Sequence, residues 1–294
     1  MKPFVRLRGT IFTPIWSGSR LSEKYKRFAE IKTVGECWET SVVDDSMAEI
    51  IGEDISFADY IRHFDLDAPP LIKIIDAGAS LSVQVHPDAA TAAKFGGVAK
   101  NEFWYVLDAD ADSYILYGTV DGLSKEDVLR HIRSGDILPC LQKIPVKSSD
   151  CFMIPEGMIH ALGAGVTVLE IQNRIGTTYR IKDISGNRET HVEESCACVE
   201  VFDASQAVIP HGKLSEARLA GVPLVSTSEY GMTRYVATGS QETFTIDDRG
   251  VYIFCESGSG RICGERFGSG DSFFIGQSGC EISLDEGTTV IFAI

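Results

Sequence analysis

The sequence has no long apolar run and no excess of basic residues. None of its apolar stretches approaches the ~18 residues that a membrane-spanning helix needs, and no secretory apolar region follows Met1. Its 27 Lys and Arg residues are outnumbered by 42 Asp and Glu residues, for a formal charge of −15. Nucleic acids and anionic membranes both require a basic face on their partner. We therefore expect neither as a partner and expect a cytoplasmic protein.

Cysteine motifs are also missing. The eight cysteines are scattered, and the closest pair, Cys196 and Cys198, does not form a CxxC motif. We expect free thiols in a reducing compartment and no disulfide framework. The 44% hydrophobic and 23% charged content is typical of a globular protein. A length of 294 residues predicts about two domains.

Short β-prone runs separated by turn residues fill most of the chain. Few helices are predicted, and Ser56, Asp88 and Ser124 are their expected N-caps. Beyond residue 200, regular strand-like runs between Gly, Ser and Asp turns indicate a β-sandwich or barrel. The segment 150–157 resembles 271–278, but the second copy has no His. We predict a metal-binding β domain over residues 1–200 and a second, degenerate β-barrel without metal over residues 201–294.

One stretch, LSVQVHPD, carries Gln84 and His86 two residues apart in a β-prone run. Side chains at i and i+2 of a strand leave the same face, so an amide and an imidazole point together. Polar groups on an apolar strand need partners. They either form hydrogen bonds inside a core or hold a metal.

Two later strand-like segments supply further candidate metal ligands. Glu102 begins the run EFWYVL, and His160 follows the turn of PEGMIH, which aims an imidazole into a barrel. Considered alone, each residue has a simpler explanation. A histidine in a strand is more often a core residue than a metal ligand, and Glu102 could pair with Lys100. Together with Gln84 and His86 they form a shell that suits Zn²⁺, Fe²⁺ or Mn²⁺. The ligand residue types alone do not show which of these ions binds.

Several motifs together are similar to type I mannose-6-phosphate isomerases of the cupin superfamily. They are LSVQVHPD, AKNEFWYV, IPEGMIHALG, LEIQ and TTYRIKD, with IWSG, GECWETS, PLIKIID and RETH, over roughly residues 14–191. The resemblance implies a mainly β protein with a cupin-type β-barrel (jelly roll), a few helices and one Zn²⁺ per chain. The implied zinc ligands are Gln84, His86, Glu102 and His160, and the implied catalytic residue is Arg180.

The resemblance also implies an activity and a substrate pocket. The activity is the interconversion of mannose 6-phosphate and fructose 6-phosphate through an enediol(ate), with a phosphorylated hexose as the partner molecule. Lys73 and Lys100 correspond to lysines near the family's substrate pocket. The common face expected for Arg180 and Lys182 adds a further cation, and Arg174 adds another where family members usually have QNSDTTYR. The substrate-binding set is therefore Lys73, Lys100, Arg174 and Lys182.

Some choices stay open at this level. The catalytic base is unassigned among Glu170, His191 and His211, and Glu170 could instead orient a ligand. An Fe²⁺ cupin oxygenase and a non-catalytic sugar-phosphate-binding cupin are the alternative functions. The residues leave both a monomer and a homo-oligomer open.

Overall fold

The protein is mainly β. The computed structural model describes residues 1–184, 188–202 and 221–294. Its strands are β1 Phe4–Arg8, β2 Thr10–Phe12, β3 Glu36–Trp38, β4 Glu49–Ile50, β5 Leu71–Ala77, β6 Val83–Val85, β7 Glu102–Ala109, β8 Tyr114–Thr119, β9 Leu141–Pro145, β10 Cys151–Ile154, β11 His160–Leu162, β12 Val166–Gln172, β13 Tyr179–Lys182, β14 Val222–Ser226, β15 Gly231–Val236, β16 Gln241–Ile246, β17 Val251–Ser257, β18 Ser259–Ile262, β19 Glu265–Gly268, β20 Ser272–Ile275, β21 Cys280–Asp285 and β22 Thr289–Ala293.

The helices are few and short. They are α1 Arg20–Lys24, α2 Phe57–His63, α3 Ala89–Phe95, α4 Lys125–Ser134 and α5 Val192–Cys198, with 3₁₀ turns at Lys26–Phe28, Asp44–Ser46 and Leu138–Cys140. Ser56, Asp88 and Ser124 cap α2, α3 and α4 through side-chain oxygens that accept backbone N–H groups, as predicted. Within the described ranges, no helix has the length and apolar character needed to cross a membrane. All eight cysteines are free thiols.

Contacts divide the chain into two compact units. The first unit comprises Met1–Phe12, Arg20–Ile74 and His211–Ile294, and the second comprises Thr13–Ser19 and Ile75–Pro210. The first unit is therefore discontinuous, because β1 pairs with β20 in it. The linear division of the domains at residue 200 stays a prediction.

The first unit is a sandwich of two antiparallel sheets. One sheet has the order β14-β15-β22-β17-β20-β1-β4, and the other has the order β16-β21-β18-β19. Alternate residues of facing strands meet in its core, as Ile253 and Phe273 do with Ile262 and Ile282. This alternation buries one face of each strand and explains the period-2 apolar pattern.

The second unit is also built from two β layers. The strands β10, β7 and β12 are neighbours in one layer, and β13-β6-β11-β8-β9 form the other. Trp104 and Val106 of the first layer share a core with Ile115, Tyr117 and Leu162 of the second. The opposite face of the five-stranded layer packs against the helices α4 and α5 through a separate apolar cluster. The side chains between the two layers include the predicted metal ligands.

Candidate metal centre

Three predicted ligands converge in the second unit. His86, Glu102 and His160 are fully buried, and each offers a ligand atom within 4.8 Å of the others. His86 Nε2 lies 3.2 Å from Glu102 Oε2, and His160 Nε2 lies 3.3 Å from Glu102 Oε1. Two imidazole nitrogens and one carboxylate thus face a common point, although they are up to 74 residues apart in the sequence.

Strand ends and one turn place these side chains. His86 follows the end of β6, Glu102 begins β7 and His160 begins β11. The Pro155–Gly157 turn before β11 needs a glycine, because Gly157 has a φ of +81°. The Gly157 N–H donates to the carbonyl oxygen of His86 at 2.8 Å. The turn therefore ties the strand that carries one histidine to the backbone of the other histidine.

Backbone carbonyls set the tautomer of both histidines. His86 Nδ1 lies 3.2 Å from the carbonyl oxygen of Thr177, and His160 Nδ1 lies 2.9 Å from that of Met158. A carbonyl oxygen only accepts, so each Nδ1 carries the proton and each Nε2 keeps its lone pair. Both lone pairs are on the side of Glu102. A hydrogen bond from the ring nitrogen that faces away from the metal is the usual way in which a metal-binding histidine is oriented.

Several buried polar atoms of this cluster have no hydrogen-bond partner in the part of the chain that the structure describes. Among the described residues, His86 Nε2 and both carboxylate oxygens of Glu102 are buried and have no hydrogen-bond partner. Lys100 Nζ lies 2.6 Å from Glu102 Oε2, an ion pair by distance that lacks hydrogen-bond geometry. Buried polar atoms without partners are costly. A cation that accepts nitrogen and oxygen ligands would satisfy them, so the residues fit a divalent metal such as Zn²⁺.

The protonation states also suit a metal. Burial, followed by the ammonium group of Lys100, lowers the pKa of His86 from 6.5 to about 3. Burial acts to raise the pKa of Glu102, but Lys100 and the imidazoles outweigh it and hold that pKa well below 4.5. At neutral pH the imidazole of His86 is neutral and the carboxyl group is ionised. Metal ligands must be in these forms.

Gln84 and Arg180 lie in the same row as His160. Gln84 is the strand partner of His160 on one side and of Arg180 on the other. Directly opposed residues of antiparallel strands point to the same face. Gln84 Nε2 lies 3.1 Å from His160 Nε2, so the amide is within reach of the histidine cluster. Rotation of the amide by 180° would present its oxygen to a metal instead.

The predicted common face of Arg180 and Lys182 is wrong. A β-bulge interrupts the pairing between them, so that Lys182 lies opposite Val83, whose side chain belongs to the apolar cluster under the helices. The Lys182 ammonium group donates to the carbonyl oxygen of Gly135, the C-cap of α4, at 2.8 Å. The extra residue of a bulge reverses which face the following side chain takes. A substrate contact for Lys182 stays a prediction, and this placement weighs against it.

The other predicted substrate cations are placed differently from one another. Lys100 is buried beside Glu102, as described above. Arg174 is exposed on the loop between β12 and β13. Lys73 belongs to the first unit, where its ammonium group lies 4.9 Å from the ring centroid of Trp38. Lys100 contacts the cluster through Glu102.

The candidate bases differ in their surroundings. Glu170 is buried on β12 and accepts a hydrogen bond from Trp104 Nε1 at 3.0 Å, and the Trp104 ring meets that of His160 edge to face at 5.5 Å. This arrangement supports the interpretation of Glu170 as a residue that orients a ligand. His191 contacts the backbone of Arg180. His211 lies outside the described residues.

Sequence reasoning missed the groups that orient the histidines. The acceptors are backbone carbonyls of Thr177 and Met158, and Trp104 packs on the ring of His160. A carbonyl has no sequence signature. Trp104 does have a sequence signal, because it lies two residues after Glu102 in the strand-like run EFWYVL, and side chains at i and i+2 of a strand leave the same face.

Comparison with known sequences finds a relative that matches most of the chain. The chain is 34% identical, over 276 residues, to a mannose-6-phosphate isomerase of Streptococcus mutans, which covers 87% of this chain and 85% of that protein. No family model matches the chain. The resemblance of the motifs to these isomerases is therefore confirmed at the level of nearly the whole sequence.

Solved structures share the fold. The crystal structure of the mannose 6-phosphate isomerase of Bacillus subtilis matches with a TM-score of 0.84, 23% identity and 100% coverage of both chains. A zinc-bound mannose 6-phosphate isomerase matches with a TM-score of 0.77 and 14% identity over 99% of both chains. The predicted cupin-type, mainly β fold is confirmed by these matches.

Proposed function

Because the chain belongs to the family of mannose-6-phosphate isomerases, we propose that it interconverts mannose 6-phosphate and fructose 6-phosphate with one bound Zn²⁺. The observation that carries the proposal is the convergence of two imidazole Nε2 atoms and a carboxylate in one buried cluster. Among the described residues, His86 Nε2 and both Glu102 oxygens of this cluster have no hydrogen-bond partner. The substrate is a phosphorylated hexose, and the reaction moves a proton between C1 and C2 through an enediol(ate).

His86, Glu102 and His160 are the proposed metal ligands, and Gln84 is the proposed fourth ligand through its amide oxygen. A bound Zn²⁺ would act as a Lewis acid that stabilises negative charge on substrate oxygens. The burial of the cluster supports this, because low solvent exposure strengthens such electrostatic stabilisation. The neighbouring carbonyls of Thr177 and Met158 hold the imidazoles in the binding tautomer.

Arg180 is the proposed catalytic residue. It keeps its charge at every physiological pH and lies in the strand row of Gln84 and His160. In this position the guanidinium group would hold the open-chain sugar and stabilise the oxyanion that develops in the transition state. Lys100 and Arg174 are the proposed cations that attract the phosphate dianion. An otherwise acidic protein needs such local cations to bind an anionic substrate.

A coupled isomerase assay tests the proposal, with the metal measured in the same sample. We expect turnover of mannose 6-phosphate, about one zinc per chain, loss of activity on chelation and its return with Zn²⁺. Zinc without turnover would favour a sugar-phosphate-binding protein. Oxygen consumption with Fe²⁺, without isomerisation, would favour an oxygenase. Full activity in a sample free of metal would contradict the metal-dependent mechanism.

A further inference from the structure

The segment 188–191 binds Arg180 at three points. The His191 N–H donates to the carbonyl oxygen of Arg180 at 2.8 Å, and the Arg180 N–H donates to His191 Nδ1 at 3.0 Å. The Arg180 side chain donates from Nη1 to the carbonyl oxygen of Glu189 at 2.7 Å. Both backbone polar groups of Arg180 and one end of its guanidinium group are thus held by two residues of this segment, His191 and Glu189.

These contacts show which tautomer the His191 ring adopts. Its Nδ1 accepts a hydrogen bond, so this nitrogen carries no proton and the neutral ring has its proton on Nε2. The ring also packs at 6.0 Å from the ring of Tyr179, the residue before Arg180. The lone pair that a general base would need is therefore already used by the backbone of Arg180.

An ion pair between Arg188 and Asp183 anchors the start of the same segment. Arg188 donates from Nε and Nη2 to Asp183 Oδ1 at 3.1 and 2.8 Å, and its backbone N–H donates to Asp183 Oδ2 at 2.9 Å. Asp183 directly follows β13, and its side chain is 4% exposed. Three charge-assisted hydrogen bonds to one buried carboxylate fix geometry as well as charge. The segment is therefore tied to the end of the strand that carries Arg180.

Fixing the conformation of Arg180 in this way bears on the rate of the reaction. A free arginine side chain samples many rotamers, and the reaction must select one of them unless the protein has done so beforehand. Arg180 Nε is buried, and among the described residues it has no hydrogen-bond partner. One end of the guanidinium group, Nη1, is fixed by the carbonyl oxygen of Glu189, and donors remain for a ligand.

We propose that His191 is a positioning residue for the isomerase reaction, which holds Arg180 through its Nδ1 acceptor and its backbone N–H. The inference rests on the proposed function, since it assigns a role towards the proposed catalytic arginine. His191 itself does not touch the substrate. Its contribution is the orientation of the strand residue that does.

Three variants separate this role from that of a base. In His191→Asn, the amide oxygen can stand where Nδ1 stands, and in His191→Gln the amide extends to the place of Nε2. We expect His191→Ala and His191→Gln to lower kcat by about 10- to 100-fold, as for a displaced catalytic group, with less than a threefold change in KM and unchanged zinc content. We expect His191→Asn to recover most of kcat.

Two outcomes would overturn the inference. If His191→Asn were as slow as His191→Ala while His191→Gln retained activity, the Nε2 position would matter and not the Nδ1 acceptor. If His191→Ala kept the wild-type kcat, His191 would have no positioning role. If the alanine variant fails to fold, the Asn and Gln variants still decide between the two ring nitrogens.

A measurement without substrate distinguishes this inference from the proposed function. Hydrogen exchange of the Arg180 backbone amide should speed up at least tenfold in His191→Ala and return towards the wild-type rate in His191→Asn. Unchanged exchange in His191→Ala would overturn the contact itself. If the variants show this exchange pattern but the wild-type protein does not turn over mannose 6-phosphate, the proposed function is contradicted and the structural contact stands.

Discussion

Arg180 lies directly opposite Gln84 in the pairing of β13 with β6. Gln84 lies opposite His160 in turn, so a cation, an amide and an imidazole follow one another across three strands. Opposed residues in such a sheet have Cβ atoms about 4.5–5.5 Å apart. The pairing of three neighbouring strands therefore places the proposed catalytic residue and two proposed metal ligands in one row.

Removal of the guanidinium group should affect the chemical step. We expect Arg180→Ala to lower kcat by about 10²- to 10³-fold, the usual effect of losing one oxyanion-stabilising group, while zinc content stays at the wild-type level. Steady-state kinetics and metal analysis measure this. Arg130→Ala, at an exposed arginine of α4 paired with Asp127, is the control and should keep wild-type kinetics. A change in KM alone would show that Arg180 binds substrate and transition state equally.

Loss of either histidine should remove the metal. We expect His86→Ala and His160→Ala to lose stoichiometric zinc and activity, with circular dichroism still typical of a β protein. His131→Ala is the matched control, because His131 is a half-buried histidine of α4 whose Nδ1 lies 2.8 Å from the carbonyl oxygen of Asp136. Chelation should lower the melting temperature of the wild type, since a ligand that binds only the native state stabilises it. Zinc retained at full stoichiometry in both variants would refute the ligand assignment.

The metal-free protein should lose stability in mild acid. The pKa of His86 is about 3 in the native state against 6.5 as the unperturbed value, so between these pH values the unfolded chain binds a proton that the native state does not. Protonation of His86 in the unfolded chain should therefore lower the free energy of unfolding by about 1.4 kcal/mol for each pH unit below pH 6.5. Below 4.5 Glu102 adds to the fall, because its native pKa is also lowered.

Urea unfolding of the chelated protein at pH 7, 6 and 5 measures this slope. His86→Asn is the control, because an amide does not titrate, and its slope between pH 6 and pH 5 should be smaller by about 1 kcal/mol. Equal slopes in the two proteins would mean that His86 is not held neutral by the native state.

A buried ion pair in the first unit should carry much stability. Arg27 Nη2 lies 2.7 Å from Glu39 Oε1, and Glu39 Oε2 accepts hydrogen bonds from Tyr252 and Ser272 at 2.9 and 2.6 Å. We expect Glu39→Gln to lower the free energy of unfolding by about 3–5 kcal/mol, because it leaves the charge of Arg27 buried without its partner.

The exposed pair of Arg8 and Glu49 is the control for that experiment. Glu49→Gln should cost less than about 1 kcal/mol, since water screens surface ion pairs. Denaturant unfolding of both variants gives the comparison. Losses that agree within 1 kcal/mol would show that burial of the Glu39 network adds nothing to its strength.

Local patterns were sufficient for the elements and for the identity of the candidate ligands. The capping box at Ser124, with Asp127, begins α4 as predicted, and the i, i+2 spacing of Gln84 and His86 correctly indicated a strand that delivers both. Such signals depend on neighbours within a few residues, so they can be read from the chain. The motif resemblance then related these residues to a family.

Only the tertiary structure decided how those residues meet and which of them do not. The bulge after Arg180 turns Lys182 away to Gly135, and the β propensity of TTYRIKD does not indicate an extra residue in the pairing. The acceptors that set the histidine tautomers and hold Arg180 are carbonyls of Thr177, Met158 and Glu189. Every residue has a carbonyl, and only long-range packing determines which one is reached.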